Sequence, residues 1–333
     1  MLNAGVIGMG VGLNHAMAYI NHNQVTLKTI CDFDQKKLIY FKNHYGLLME
    51  TNDQSILQDK DIDIVSIASY DNYHSSQILQ ALNNEKHVIA EKPLCLSQDE
   101  MNEIYAVHKK SNDIQLSANH VLRSNPRFIK FKNDVNKSEF GKIVYIEGDY
   151  YWGRKNKLFG WRSEMDFYSI ILGAAVHMID LVMWLLNMRP ASVQAVGNDI
   201  ASNNSNMKFN SFAAILLNFD NGVIAKLTGN GGCVHPHFHG LKIFGTERTA
   251  IHNLTGAYFL NSSEPGSKPI TISEPYPEKE EREKVIHSFV DSILDPSVKP
   301  IVPQQDVYDV MSVCFAAEEA MNTGQTVNIE YLG

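Results

Sequence analysis

The first third of the chain alternates short apolar runs with helical stretches, and this restricts the fold more than any other feature. The runs are NAGVIG (3–8), VTLKTICD (25–32), DIVSIAS (63–69), KHVIAE (86–91) and IQLSAN (114–119); segments such as DQKKLIYFKNHY (34–45) and SSQILQALNN (75–84) separate them. Strands joined through helices cannot pair as hairpins, so they cross over and lie parallel in a doubly wound α/β sheet. Ser97 followed by Glu100 forms a capping box that opens a further helix, with Met101, Ile104 and Val107 at helical spacing.

The texture changes from about residue 119. KIVYIEGDYYW, ASVQAVGND, SFAAILLNF, GVIAKLTGN and GLKIFGTE read as strands, with a tight turn at 220–222 (DNG). Consecutive strands joined by such turns predict a large, mainly antiparallel open sheet. Two long helical patterns accompany it, at 173–187 and 307–324, the second ended by glycine, and 273–284 reads as a polar loop running into a helix. At 333 residues the chain exceeds one ordinary core. The expected division is 1–118 for the parallel domain and 119–333 for the second.

A formal net charge of −8 argues against a nucleic acid or an anionic membrane as the main partner. No apolar span is long enough to cross a bilayer, and the chain enters a strand almost at once with no signal-peptide core. Cys31, Cys95, Cys233 and Cys314 form no CxxC pair, which disfavours a zinc ribbon or a secreted disulfide framework. The expected location is the cytoplasm.

GVIGMGVG places Gly8, Gly10 and Gly12 between the first strand and a helix. Such a turn lets backbone N–H groups approach a pyrophosphate at the helix N-terminus, although GxGxG displaces the third glycine of the usual GxGxxG by one. Asp32 ends the second strand twenty residues after Gly12, where an acid binds ribose hydroxyls and repels a 2′-phosphate. NAD is therefore favoured over NADP, with Lys36 and Lys37 keeping the alternative open; a simple strand-end acid is the other reading of Asp32.

Glu91, Lys92 and Pro93 fall at the carboxyl end of a parallel strand, where ligands bind in open α/β sheets. A lysine there can hold a substrate hydroxyl and stabilise the alkoxide that develops as hydride leaves. In isolation the triplet reads equally as a solvated ion pair beside a loop proline. It is not isolated: ASYDNYHSSQILQALNNEKHVIAEKPLCLS (68–97), the glycine turn, Asp32, NHVLRSNPRF, HMIDLVMWLL and IFGTERTA occur in an order that resembles the Gfo/Idh/MocA family of sugar and polyol dehydrogenases over essentially the whole chain. The resemblance implies an N-terminal Rossmann NAD(P) domain and a C-terminal α/β domain whose sheet makes a homodimer or homotetramer. It also implies cofactor contacts from Ser69, His74, Glu91 and Lys92, with Lys92 at the point of hydride transfer, and Asn119 and Arg123 lining the cleft as substrate contacts.

The family commonly carries DxGxH at the start of a helix in its second domain. Here His177 matches, but Gly173 stands in place of the aspartate and Ala175 in place of the glycine. His177 remains the expected base, since imidazole accepts a hydroxyl proton near neutrality; otherwise it is a packed core histidine. Asp180, at i+3, shares its face, and Tyr168 is a second candidate donor. Arg154, Lys155, Lys157 and Arg162 on a loop with Trp161 suit an acidic or nucleotide-activated sugar better than a neutral polyol. His235, His237 and His239 alternate in CVHPHFHG like metal ligands, yet the match continues into a sheet strand and lacks an acidic partner, so no metal is assigned.

The sequence thus reads as a cytoplasmic NAD-dependent dehydrogenase of a sugar derivative, working through Lys92 and His177. Retained-NAD glycosidase or epimerase chemistry, and a non-catalytic nucleotide sensor, stand as alternatives.

Overall fold

The apolar runs become strands in the order the alternation predicts. The computed structural model describes residues 1–111, 113–203 and 205–333, with all their side chains except those of 40 and 42. Strands β1 (Leu2–Ile7), β2 (Val25–Cys31), β3 (Leu48–Glu50), β4 (Ile64–Ile67), β5 (His87–Ala90) and β6 (Leu116–Ala118) form a sheet ordered β3-β2-β1-β4-β5-β6. Every pair in it is parallel. Helices α1 (Gly12–Ile20), α2 (Gln35–Tyr45), α3 (Gln54–Leu57), α4 (His74–Asn83) and α5 (Gln98–His108) make the crossovers. Because the strands run one way, the residues that follow β1, β2, β4, β5 and β6 all emerge at one edge, the carboxyl edge at which open α/β sheets take ligands.

Local chemistry explains the boundaries. Ser97 Oγ accepts the Glu100 N–H at 3.2 Å and Glu100 Oε2 accepts the Ser97 N–H at 3.2 Å, closing the capping box of α5. Such a cap is worth about 1 kcal/mol.

The second sheet contains β7 (Ile143–Tyr151), β8 (Ser192–Asn198), β9 (Phe212–Asn218), β10 (Ile224–Asn230), β11 (Phe238–Gly245), β12 (Thr249–Asn253), β13 (Gly256–Leu260), β14 (Ile270–Thr271) and β15 (Val327–Asn328). Their order is β14-β13-β12-β11-β7-β10-β9-β8-β15, and β7 with β10 is its parallel pair. The turn at 220–222 joins β9 to β10 through Gly222, at φ +86°, and the Phe219 N–H donates to the Val223 carbonyl at 3.0 Å. Helices α6 (Pro126–Asn136) and α7 (Val176–Leu186) precede β7 and β8 respectively. Apolar residues surround α7 and nearly all of it is buried, as an all-round hydrophobic helix must be. On the sheet, Val144, Val196 and Ile224 remain exposed.

Two helices complete the chain, α8 (Glu283–Leu294) and α9 (Gln304–Thr323), the latter ending before Gly324 at φ +69°. The sequence reading draws one boundary at 118/119; the structure divides the chain into Met1–Ser124 with Lys279–Tyr308, and Asn125–Glu278 with Asp309–Gly333. Helix α8 returns to the first unit because Ile286, Phe289 and Val290, at i, i+3 and i+4, join a core containing Ala16, Tyr19 and Ile30. Burying each such side chain contributes about 1.5–3 kcal/mol. Among the described residues no helix is long and apolar enough to cross a membrane.

Candidate active site

The glycines at the carboxyl end of β1 stand in three different environments. Gly8 has φ +89°, and a Cβ there would lie 2.6 Å from the Ser69 nitrogen. Gly12 opens α1 against Val6 and Ala68, where a Cβ would approach to 3.0 and 3.1 Å. Gly10 is exposed, and a Cβ would meet nothing within 4 Å. No side chain caps α1, and its first turn carries no acid. The turn therefore presents backbone donors with the positive end of a helix dipole behind them, and it fits the pyrophosphate of a dinucleotide.

Asp32 is almost wholly buried beside this turn. Its Oδ2 accepts the Met9 N–H at 2.7 Å and its Oδ1 the Asp34 N–H at 2.8 Å, so the carboxylate joins the glycine turn to the end of β2. Lys37 Nζ lies 3.1 Å from Oδ2. After β4, Ser69 Oγ donates to Gln77 Oε1 at 2.7 Å. His74, fully buried, spans from Pro93 to Ser69: its Nδ1–H donates to the Pro93 carbonyl at 2.7 Å and its Nε2 lies 3.2 Å from the Ser69 carbonyl. The segment carrying Lys92 is thus tied to the loop after β4, and the Lys92–Pro93 peptide is cis.

Glu91 is the most elaborately held group at this edge. His15 Nε2 lies 3.2 Å from Glu91 Oε1, and Asn119 Nδ2 donates to the same oxygen at 2.8 Å. Burial pushes the Glu91 carboxyl up, but His15, Lys92 and Asn119 outweigh it and hold the group at about 2. Gly8, Gly10, Gly12, Asp32, Ser69, Glu91, Lys92 and Asn119 therefore share the edge that the sequence predicts for them. Arg123 behaves otherwise. Expected at the substrate, it is 2% exposed, with Nη1 2.5 Å from Asp306 Oδ2 and 3.3 Å from the Ile301 carbonyl.

In the second unit, His177 sits in the first turn of α7, directly after a π-helical turn at Ile171–Ala175. Ser169 Oγ accepts the Ile171 and Leu172 N–H groups at 3.0 Å each and hydrogen-bonds Glu318, whose carboxyl burial pushes up. Asp180 is buried one turn beyond His177, and Tyr168 is buried as well. A side chain on Gly173 would run into the Tyr168 hydroxyl. Arg162 lies over Trp161 at 4.1 Å, Trp152 at 5.2 Å and Tyr168 at 6.0 Å, while Arg154 is exposed.

The alternating histidines do not share one strand face, because β11 begins only at Phe238. His235 stacks on Tyr151 at 4.1 Å, and the His237 Nδ1–H donates to the Trp152 carbonyl at 3.1 Å. His239 lies 5.8 Å from the His177 ring and 4.8 Å from Tyr150, and Tyr150 is 5.4 Å from His177. His239 Nδ1 lies 2.6 Å from the Tyr276 hydroxyl. Among the described residues no group of three His, Cys, Asp or Glu is placed to hold a metal. Tyr150 beside His177, Tyr276 against His239, and His15, Tyr19 and Ser66 behind Glu91 are what sequence reasoning missed; the available signal was the i, i+4 spacing of His15 and Tyr19.

Two family descriptions match the chain. "Oxidoreductase family, NAD-binding Rossmann fold" covers residues 2–120, and "GFO/IDH/MocA C-terminal domain" covers 128–251. A Bacillus subtilis protein described as an uncharacterized oxidoreductase, YrbE, is 23% identical over 98% of this chain and 96% of its own. Myo-inositol 2-dehydrogenase from Lactobacillus plantarum shares the fold at a TM-score of 0.83 and 23% identity, covering 99% of each chain. A levoglucosan dehydrogenase in complex with NADH and levoglucosan does so at 0.86 and 20% identity, over 99% of this chain and 100% of that one. The first unit is an NAD-binding Rossmann domain.

Proposed function

We propose that this chain, which belongs to the Gfo/Idh/MocA oxidoreductase family, is an NAD-dependent dehydrogenase that oxidises a secondary hydroxyl of a sugar derivative, or reduces the matching ketone. The observation that carries the reading is the placement of Lys92 one residue beyond a largely buried, ionised Glu91, at the same sheet edge as a glycine turn shaped for a pyrophosphate. The substrates of these structural relatives, inositol and levoglucosan, support a sugar-like compound.

Bound NAD would supply the hydride acceptor. Gly8, Gly10 and Gly12 and the N-terminus of α1 hold its pyrophosphate, and Asp32 disfavours a 2′-phosphate, which selects NAD over NADP. Lys92 donates a hydrogen bond to the substrate oxygen and stabilises the negative charge that develops as the carbon loses hydride. His177 accepts the hydroxyl proton. One carbon is thereby oxidised, one cofactor reduced and one proton released. Arg154 and Arg162 favour an acidic or nucleotide-activated sugar. The chain works in the cytoplasm, as a homodimer or homotetramer built through the sheet face that exposes Val196 and Ile224.

The test is NADH formation, followed by absorbance, across a panel of nucleotide sugars, uronic acids and polyols. Turnover of one class supports the reading and names the substrate. One observation favours a second reading: Tyr168 packs where a side chain on Gly173 would stand, so the polar shell near His177 lacks an acid at that position. Stabilisation by NAD without turnover of any sugar would favour a nucleotide sensor, and nucleotide retained through purification would favour chemistry without net redox.

A further inference from the structure

We infer that His15 is a positioning residue for Lys92, acting through the largely buried Glu91 carboxylate and oriented by Ser66 and Tyr19. This rests on the dehydrogenase reading of the Lys92 site.

His15 belongs to the first turn of α1, three residues after Gly12, yet its side chain is completely buried. It reaches across the sheet edge to two polar partners: Nδ1 lies 3.0 Å from Ser66 Oγ on β4, and Nε2 lies 3.2 Å from Glu91 Oε1 after β5. Tyr19, one helical turn on and also fully buried, places its hydroxyl 2.8 Å from the same Ser66 Oγ. Burial pushes the Tyr19 phenol up, so it keeps its proton and has one to donate.

One assignment of protons runs unbroken from Tyr19 to Glu91; it leaves Asn119 Nδ2, 3.1 Å from His15 Nε2, to donate to the carboxylate and not to the ring. The Tyr19 O–H donates to Ser66 Oγ, the Ser66 O–H donates to His15 Nδ1, and the His15 Nε2–H donates to Glu91 Oε1. Asn119 supplies the second donor to that oxygen at 2.8 Å. The titratable groups around the carboxylate are then His15 and Tyr19 from α1 and Lys92 on its own segment; Ser66 and Asn119 are neutral.

A buried carboxylate is expensive to keep, and an apolar residue of similar size is often at least as stable in its place. What the charge supplies here is a fixed anion one residue from Lys92, whose attraction for the ammonium is mutual and which restrains its segment. Because His15 rides on the helix that begins at the glycine turn, the same contact sets Lys92 in register with the seat of the cofactor. A hydrophobic residue at position 15 could pack α1 equally well, but it would break both functions.

The experiment uses reductive 13C-methylation of the full chain and follows the Lys92 dimethylamine resonance by NMR titration without substrate. Lys92→Arg identifies the signal. Glu91→Gln and His15→Ala should each move its midpoint down by about one pH unit. Ser66→Ala, which removes a hydroxyl and leaves α1 intact, should move it in the same direction by less. With the turnover substrate, kcat should fall at least tenfold in Glu91→Gln and His15→Ala, while the KM for NAD changes less than threefold and Glu91→Asp recovers part of the loss. A midpoint that moves in Glu91→Gln but not in His15→Ala or Ser66→Ala would overturn the role of His15. Unchanged midpoints in all three would overturn the whole network. If the parent protein turns over no sugar, the dehydrogenase reading fails, and the titration still decides the positioning claim.

Discussion

The Tyr168 hydroxyl occupies the space that a side chain on Gly173 would enter. Gly173 is buried within the π-helical turn that leads into α7, and Tyr168 is buried just before it, so the tyrosine and the glycine are one packing decision. Restoring an acid at this position should therefore be harmful. Gly173→Asp is expected to cost about 1–3 kcal/mol of stability through overpacking, and Gly173→Ala a smaller amount. The double variant Tyr168→Ala, Gly173→Asp should recover part of the loss. Thermal melts of the four proteins form a cycle, and additive losses would show that the two positions are not coupled.

Lys92 should separate chemistry from cofactor binding. Lys92→Ala is expected to lower kcat about 100-fold or more, as loss of a group stabilising developing oxyanion charge does. NAD affinity, read by NADH fluorescence, should stay within a few-fold because the glycine turn and Asp32 are untouched. Loss of NAD binding together with a collapsed melting temperature would instead mark Lys92 as structural.

The parallel sheet was legible because helix–strand alternation and the glycine turn are local signals, readable residue by residue. Strand β3 was not, since three residues ending in Glu50 carry no pattern of their own and are defined by pairing with β2. The return of α8 to the first unit was equally hidden: its apolar face is visible in sequence, but which core it meets is a long-range fact. At the site, the types and order of Gly8, Asp32, Glu91 and Lys92 announced themselves. Arg123 looked like a substrate contact because nothing in the sequence reveals that Asp306, far along the chain, lies against it. His15 offered only its i, i+4 spacing with Tyr19, because its contact with Glu91 is equally long-range.

His252 gives the second unit an acid-side weakness. Burial, followed by the nearby Arg127 guanidinium, pushes its imidazole down from 6.5 to about 3. Arg127 Nη1 donates to its Nδ1 at 3.2 Å. The folded chain therefore refuses a proton that the unfolded chain accepts below 6.5. Stability from this group is fully present above pH 6.5 and is lost as pH falls from there toward 3, at up to about 1.4 kcal/mol per pH unit. His252→Gln keeps an acceptor for Arg127 and cannot titrate, so denaturant melts between pH 6.5 and 4.5 should show a shallower loss. Parallel slopes would contradict the assignment.

The exposed basic loop should discriminate by charge. In Arg154→Ala, Lys155→Ala, KM for an acidic or nucleotide sugar is expected to rise about fivefold, the scale of two screened surface interactions, with neutral polyols unaffected. The difference should shrink with added salt. Equal effects on charged and neutral sugars would remove the loop from substrate selection.

Tyr276 sets the last prediction, because it fixes which nitrogen of His239 carries the proton. The His239 backbone N–H donates to the Tyr276 oxygen at 3.1 Å, and the same oxygen is 2.6 Å from Nδ1. With that oxygen already accepting, the phenol proton is directed at Nδ1, which leaves the ring proton on Nε2. His239 is then a donor through Nε2, beside Tyr150 and in the same ring cluster as His177. Tyr276→Phe removes the constraint while keeping the ring that packs on Phe238 and His252. The 15N shifts of His239 should move from a single Nε2–H tautomer toward a mixture, and kcat/KM should drop about three- to tenfold, the worth of one hydrogen bond of this kind. Unaltered 15N shifts would mean that the backbone, and not Tyr276, holds the tautomer, and a large fall in kcat/KM without them would have to come through packing.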